Sequence, residues 1–353
     1  MKVVVIGAGI VGAAAAYRLA RGGADVTVID GQGPGAGATG RSFGWINASF
    51  HHDARHFRLR AAAMAAWRAL AAELELPLRW DGALWWEGQG AALAQMETAL
   101  RALDYPVERL SGAALRGRVP ALAEVPDAAL AFPSEGVADP RAVAEALLRA
   151  SGARLIVGQA AEAIETAGDA VASVRLGGTR LSADRVVVAA GCDAPGLVAP
   201  LGVALPMKPA PGLLVETAPV PFRLDPVLVS PMQEVRQVPG GGLMAPSSAD
   251  HQRPDAPPQD GTMAALADTA TDRLRRMFGL DQLGWTRVVR GERPVPADDL
   301  PVLGAAGPAG LVIAVMHSGV TLAPLAGRAV AEAVLGNGPD PDLWASYRVD
   351  RFG

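Results

Sequence analysis

The sequence predicts an α/β protein in which a parallel-sheet domain is interrupted by a second, mainly antiparallel α+β domain. Three observations carry that prediction. Residues 1–30 read strand, helix, strand, with Gly7, Gly9 and Gly12 where the strand turns into the helix. The chain returns to this alternation at its end, with a β-branched run over 311–315 and an apolar helical stretch over 322–335. Between them, residues 206–248 hold short strands punctuated by proline, a different texture from either end.

Taken in order, 3–6 is a β-branched strand, 10–21 an Ala-rich helix stopped by Gly22 and Gly23, and 26–29 a second strand. A glycine-rich loop fills 31–44. A helix over about 56–74 follows from the apolar spacing of Phe57, Ala61, Met64, Trp67 and Leu70. Residues 80–134 are mixed, with a strand near 84–87 and a helix near 91–103. Residues 140–151 form a helix, and short strands lie at 154–157, 164–166, 173–176 and 185–189. The Pro-rich stretch 250–260 reads as a loop and 262–278 as a helix. These readings divide the chain into a discontinuous first domain of 1–80, 135–205 and 290–353, and a second of 81–134 and 206–289.

Composition removes several classes of function. Of 353 residues, half are hydrophobic and 19% charged, which excludes disorder. The net charge of −4 leaves no basic field for a nucleic acid. One cysteine, Cys192, removes disulfides and thiolate clusters, and the five histidines lack ligand spacing, so no metal is expected. The only lysines are Lys2 and Lys208. Lys2 followed by an apolar stretch imitates a secretory leader, but Gly7, Gly9 and Gly12 interrupt it and a second strand follows. No 18-residue apolar run exists, so the expectation is a soluble cytoplasmic protein without integral membrane contact.

Gly7-Ala8-Gly9-Ile10-Val11-Gly12 follows a strand and opens a helix. In a Rossmann-type turn the first glycine permits the tight bend, the second lets a pyrophosphate approach, and the third lets helix and strand pack. The helix start then offers free N–H groups to the phosphates. Asp30 ends the second strand 18 residues past Gly12, placed to accept hydrogen bonds from a ribose diol. A second glycine pattern, Gly35-x-Gly37-x-x-Gly40, has no acid-terminated strand after it and reads as a loop closing over the first.

Five segments together resemble the FAD-dependent amino acid and amine oxidoreductases of the D-amino acid oxidase superfamily, which includes glycine oxidase, sarcosine oxidase and D-amino acid dehydrogenase. They are Val4 to Gly12; Ala38 to Trp45, with Arg41-Ser42-Phe43-Gly44; Val186 to Gly191; Gly291-Glu292-Arg293-Pro294 with Asp299 to Gly304; and His317-Ser318-Gly319-Val320-Thr321-Leu322-Ala323-Pro324. The resemblance implies that Gly7, Ala8, Gly9, Ile10, Val11, Gly12 and Asp30 hold the ADP half of FAD. Thr39, Gly40, Arg41 and Ser42 would line the pyrophosphate and ribityl chain, with Gly44 and Trp45 near the flavin ring. Ala161 would meet the adenine, and Ala190 and Gly191 would close over the pyrophosphate. Ser318, Gly319, Val320 and Thr321 would set backbone N–H groups against the flavin N1–C2=O edge, where the reduced ring carries negative charge.

The same resemblance makes Arg293 a clamp for a substrate carboxylate, which a guanidinium fork matches in a bidentate way; otherwise it is a surface arginine paired with Asp298 or Asp299. His317 either touches the substrate or caps the last helix. His51 and Arg55 match a His-x-x-x-Arg stretch beside the flavin of sarcosine oxidase-like enzymes, or mark a solvated helix start. Trp85 and Trp86 are an aromatic wall, or one core and one surface residue. Relatives with covalent flavin carry cysteine where this chain has Gly291, so FAD is expected to be non-covalent. Oxygen-activating relatives carry a lysine where this chain has Gly242-Leu243-Met244, which predicts faster reduction of a dye or quinone than of oxygen.

The function expected is hydride transfer from the α-carbon of an amino acid or secondary amine to FAD. The electron acceptor (quinone, carrier protein or oxygen) and a homo-oligomeric state stay open. Two alternatives remain: a 2-hydroxy acid dehydrogenase of the same fold, needing His317 or His51 as a base, and a flavin-binding assembly protein without turnover.

Overall fold

The computed structural model describes residues 1–248, 261–336 and 338–353. The loop expected at 250–260 lies outside the described residues. A six-stranded sheet forms one half, in the order Val302–Ala305, Leu311–Val315, Arg185–Val188, Lys2–Ile6, Asp25–Asp30 and Arg154–Val157. Its neighbours pair parallel except the first two, which are antiparallel.

Period-two alternation decides what each face of that sheet covers. Val3, Val5, Val26 and Val28 point to the helices Ile10–Arg21, Pro140–Ser151 and Gly319–Leu335. Val4, Ile6 and Ile29 point the other way, onto an antiparallel meander of Ala163–Ala167, Ala170–Leu176 and Thr179–Ser182. The first and last helices pack tightly because small residues meet: a Cβ on Gly327 would sit 2.6 Å from the Ala14 carbonyl carbon. Burial on this scale is the main stabilising term for the half.

The second half is an eight-stranded sheet ordered Trp285–Glu292, Pro211–Pro219, Gly242–Pro246, Glu234–Gln237, Val227–Val229, Ala83–Trp85, Ala128–Phe132 and Glu108–Ser111. All of its pairs are antiparallel except Val227–Val229 with Ala83–Trp85. Helix Met263–Phe278 covers one face through Leu274, Met277 and Phe278. Trp85 and Trp86 are both core residues, 7% and 6% exposed, in two different clusters. The expectation that one of them reaches the surface is therefore wrong, because both faces of this strand are covered.

Helix Ala54–Glu73 runs beside the last helix and begins at Asp53, whose carboxylate accepts the His56 N–H at 2.7 Å. His56, on its first turn, is buried, and its pKa is lowered to about 3 by desolvation and then by Arg60, with His52 and His51 adding to the fall and Asp53 opposing it. The unfolded chain therefore takes up this proton first, and stability is lost as pH falls from about 6.5 toward 3. His56→Gln should flatten that part of the dependence of Tm on pH; an unchanged slope in thermal melts would show that other groups set it.

Candidate active site

The turn between the first strand and helix is built by sterics. Gly7 has φ +110°, and a Cβ there would lie 2.3 Å from the Ala189 carbonyl oxygen. A Cβ on Gly12 would meet the Gly7 oxygen at 2.0 Å. At Gly9 the nearest atom is Thr39 Oγ1, at 3.1 Å, leaving the middle of the turn open. Gly7 and Gly12 are thus two distinct steric demands for glycine at one turn. Val11 Cγ2 lies 3.3 Å from where Gly319 would carry a Cβ, so the first and last helices start side by side.

Asp30 Oδ2 accepts the Ala8 N–H at 2.8 Å, and Oδ1 accepts the N–H groups of Gln32 and Gly33 at 2.8 and 2.7 Å. The carboxylate is thereby fixed at the strand end with lone pairs to spare. The second glycine pattern does close onto the first: the Gly35 N–H donates to the Ala8 oxygen at 3.0 Å, and the Ile10 N–H donates to Thr39 Oγ1 at 3.0 Å. Gly40 donates to the Gly35 oxygen at 2.7 Å. Ser42 Oγ accepts the Gly44 N–H, and Arg41 is exposed with its Cβ against Gly291. Ala190 adjoins Gly7, Gly191 faces Pro294, and Ala161 packs on the β-meander side of the six-stranded sheet.

Ser318 has φ +58°, a left-handed residue that turns the chain into helix Gly319–Leu335. His317 precedes it, partly covered, its pKa lowered to about 4 by desolvation first and then by the charges of Arg293 and Arg60. Arg293 leaves the end of strand Trp285–Glu292, and its Nε–H donates to the Ala210 oxygen at 3.1 Å. Desolvation lowers its pKa. Asp298 is held by Arg351 at 2.7 Å and Asp299 by Lys208 at 2.6 Å. Neither carboxylate pairs with Arg293, so the surface ion-pair alternative is not what the fold builds.

A model of the FAD-dependent oxidoreductase family (DAO) matches residues 2–333. The chain belongs to this family. It is 26% identical to a D-amino acid dehydrogenase of Rhizorhabdus wittichii over the whole of both chains. It is 28% identical to a glycine oxidase of Geobacillus kaustophilus, covering 94% of this chain and 92% of that one. Among solved structures, the iminodiacetate oxidase of Chelativorans superposes with a TM-score of 0.83 at 25% identity, covering 98% of each chain. The L-proline dehydrogenase of P. horikoshii shares the fold, with a TM-score of 0.87 at 22% identity over 99% and 97% of the two chains. The α/β architecture and the family read from sequence are both borne out.

The residues present fit the FAD that this family uses. The open centre at Gly9, the fixed Asp30 and two adjoining helix starts supply an anion cradle beside a ribose acceptor. Asp30→Ala should weaken FAD binding by about 1–3 kcal/mol, the cost of a lost hydrogen-bonding partner. Equal flavin affinity in equilibrium titrations would place the ribose elsewhere.

Trp45, His51 and Arg55, expected near the ring, have well-defined surroundings. The indole of Trp45 is buried and donates from Nε1 to Glu135 Oε2 at 2.9 Å, so its backbone rather than its ring adjoins Thr321. Arg55 lies on the exposed first turn of its helix, and His51 donates from Nδ1 to the Ala48 oxygen, 3.1 Å away. The cation that this helix sends inward is Arg60, which sequence reasoning missed because an apolar stripe hides a single buried charge. Strand Glu234–Gln237 buries a second one: Arg236 donates from Nε to the Phe43 oxygen and approaches Met244 Sδ at 3.5 Å. The lysine-free segment at Met244 thus has a cation beside it. Among the described residues no helix is long and apolar enough to cross a membrane and no side-chain cluster could hold a metal.

Proposed function

We propose that this flavoprotein oxidises the C–N bond of a small amino acid or secondary amine bearing a carboxylate, with FAD held non-covalently. The observation that carries the reading is Arg293, a partly covered guanidinium with no carboxylate within ion-pair reach among the described residues. A desolvated cation of this kind gains most from an incoming anion, and its terminal nitrogens form a fork for one. FAD, when bound, supplies the chemistry by accepting the hydride from the substrate carbon.

The chain's own groups do the rest. Arg293 orients the carboxylate. His317, uncharged at neutral pH because its pKa is about 4, leaves the amine side of the site without added positive charge. A base that weak is poorly matched to removing a hydroxyl proton, which counts against His317 as the base of a 2-hydroxy acid dehydrogenase. The backbone N–H groups of Gly319, Val320 and Thr321, free at a helix start, would hold the N1–C2=O edge of the flavin and favour negative charge there. Cys192 lies at the segment of Gly291, its Sγ 3.6 Å from the Glu292 oxygen. Desolvation and the carboxylates of Glu292 and Asp193 raise its pKa, keeping it a poor nucleophile toward a flavin. The eight-stranded half, which delivers Arg293, serves as the substrate side.

An anaerobic screen of D- and L-amino acids, N-methyl and imino acids, and hydroxy acids for flavin bleaching tests this. Bleaching by an amino or imino acid is expected, and denaturant should release all the FAD. Bleaching by hydroxy acids alone would overturn the substrate class, and flavin retained by the denatured chain would overturn non-covalent binding.

A further inference from the structure

Behind the turn His317–Thr321 lies a buried polar cluster that the chemistry above does not use. Arg60 is 4% exposed, yet it makes no ion pair at salt-bridge distance among the described residues. Its Nε–H donates to the Asn47 backbone oxygen at 3.0 Å and one terminal nitrogen to Asn47 Oδ1 at 2.6 Å. The other donates to Ser318 Oγ at 2.7 Å. One planar group therefore ties together two separate backbone segments, the residue that follows strand Trp45–Ile46 and the residue that opens the last helix. Both are segments of the cofactor cradle.

The same two segments are stitched once more by Thr321, whose hydroxyl donates to the Trp45 oxygen at 3.3 Å and accepts the Asn47 N–H at 3.4 Å. Glu135 is the nearest buried carboxylate on the far side. It accepts from Trp45 Nε1, from the Ser49 N–H at 3.1 Å and from Tyr105 Oη at 2.8 Å. Burial pushes its pKa up to about 7, so it offsets the Arg60 charge only in part at neutral pH. A left-handed serine is strained by about 1 kcal/mol or more and persists only where its surroundings hold it. Here the Arg60 bond to Ser318 Oγ does so.

We propose that Arg60 is a positioning residue of the flavin site: through Ser318 and Asn47 it fixes the turn that faces the ring, and it sets a buried positive charge behind that turn. The proposal rests on the reading that the flavin lies against Gly319–Thr321. Its charge favours the reduced, anionic ring over the oxidised, neutral one, so Arg60 raises the flavin potential as well as fixing geometry. Arg60 lies away from the carboxylate clamp, so its loss acts on kcat more than on KM.

The test compares Arg60→Met, Arg60→Lys and Ser318→Ala as flavin-loaded proteins, reading the midpoint potential by dye equilibration and Tm of the apoproteins. Arg60→Met should shift the reduction equilibrium at least tenfold toward oxidised flavin, about 30 mV for this two-electron couple. Arg60→Lys, keeping the charge, should recover more than half of that shift. Ser318→Ala should shift it in the same direction by less, and it decides the matter should Arg60→Met fail to fold. A wild-type potential in Arg60→Met, or in Ser318→Ala where that variant must stand in, would overturn the proposal and leave Arg60 a structural residue that moves only Tm. Wild-type protein that binds no flavin at all would instead refute the cofactor reading on which it rests.

Discussion

Arg293→Ala is expected to lower kcat/KM for a carboxylate-bearing substrate by about 2–5 kcal/mol, the cost when one member of a buried charge pair is removed. The magnitude follows from the state of the free enzyme. The guanidinium is already desolvated, and the two aspartates nearest in sequence are engaged by Lys208 and Arg351. The substrate carboxylate would thus be its first partner at ion-pair distance, added to the longer-range pull of Glu292 and Asp299. If the clamp is equally made in ground and transition states, the loss appears in KM. Arg293→Lys should recover only part, because an ammonium keeps the charge and loses the fork. Steady-state kinetics with an acid and its methyl ester give the internal control. The two enzymes should converge on the ester. Equal losses on acid and ester would mean that Arg293 supports the fold of the site and does not grip the carboxylate.

The sequence was most informative where a backbone demand is local. Gly7 and Gly12 each answer a steric requirement within a few residues, so the first helix appears at Ile10–Arg21 as expected and the phosphate turn with it. Helix Pro140–Ser151 and strands Arg154–Val157 and Leu311–Val315 were equally legible, from N1 proline and β-branched runs. Strands Trp285–Glu292 and Ala128–Phe132 were not. The first sets Arg287 and Arg290 three apart with two valines between them, and the second is three alanines with a leucine and a phenylalanine; neither carries a period-two contrast of polar and apolar residues. Among site residues, motif positions could be read, whereas Arg60, Arg236 and Glu135 lie outside any motif. Their meaning comes in good part from partners far away in the chain, Glu135 with Trp45 at 90 positions and Arg60 with Ser318 at 258. Arg293 sat between; its motif was visible, and only the structure could show that Asp298 and Asp299 are spoken for.

The last helix shows why one such distant contact matters. The sequence reading started it near residue 322, yet it begins at Gly319 and contains Pro324 in its second turn. Proline there has no N–H to give to the carbonyl four residues back, at Val320, and its ring crowds that oxygen outward. Val320 is buried, so the orphaned carbonyl needs another donor. Trp67 provides it: its Nε1–H donates to the Val320 oxygen at 3.0 Å, from a side chain that is 0% exposed. The helix can therefore start three residues early because a tryptophan on another helix satisfies the carbonyl. Trp67→Ala is expected to destabilise the protein by about 3–5 kcal/mol, from the cavity it leaves. Trp67→Phe keeps most of the volume and removes only the donor, for about 1–3 kcal/mol. Pro324→Ala restores the intrahelical N–H and should recover most of the Trp67→Phe loss while recovering little of the Trp67→Ala loss. Chemical denaturation of the three single and the two double variants reads this coupling directly. Additive losses in Trp67→Phe with Pro324→Ala would mean that the indole contributes packing alone and that the Val320 carbonyl is satisfied in some other way.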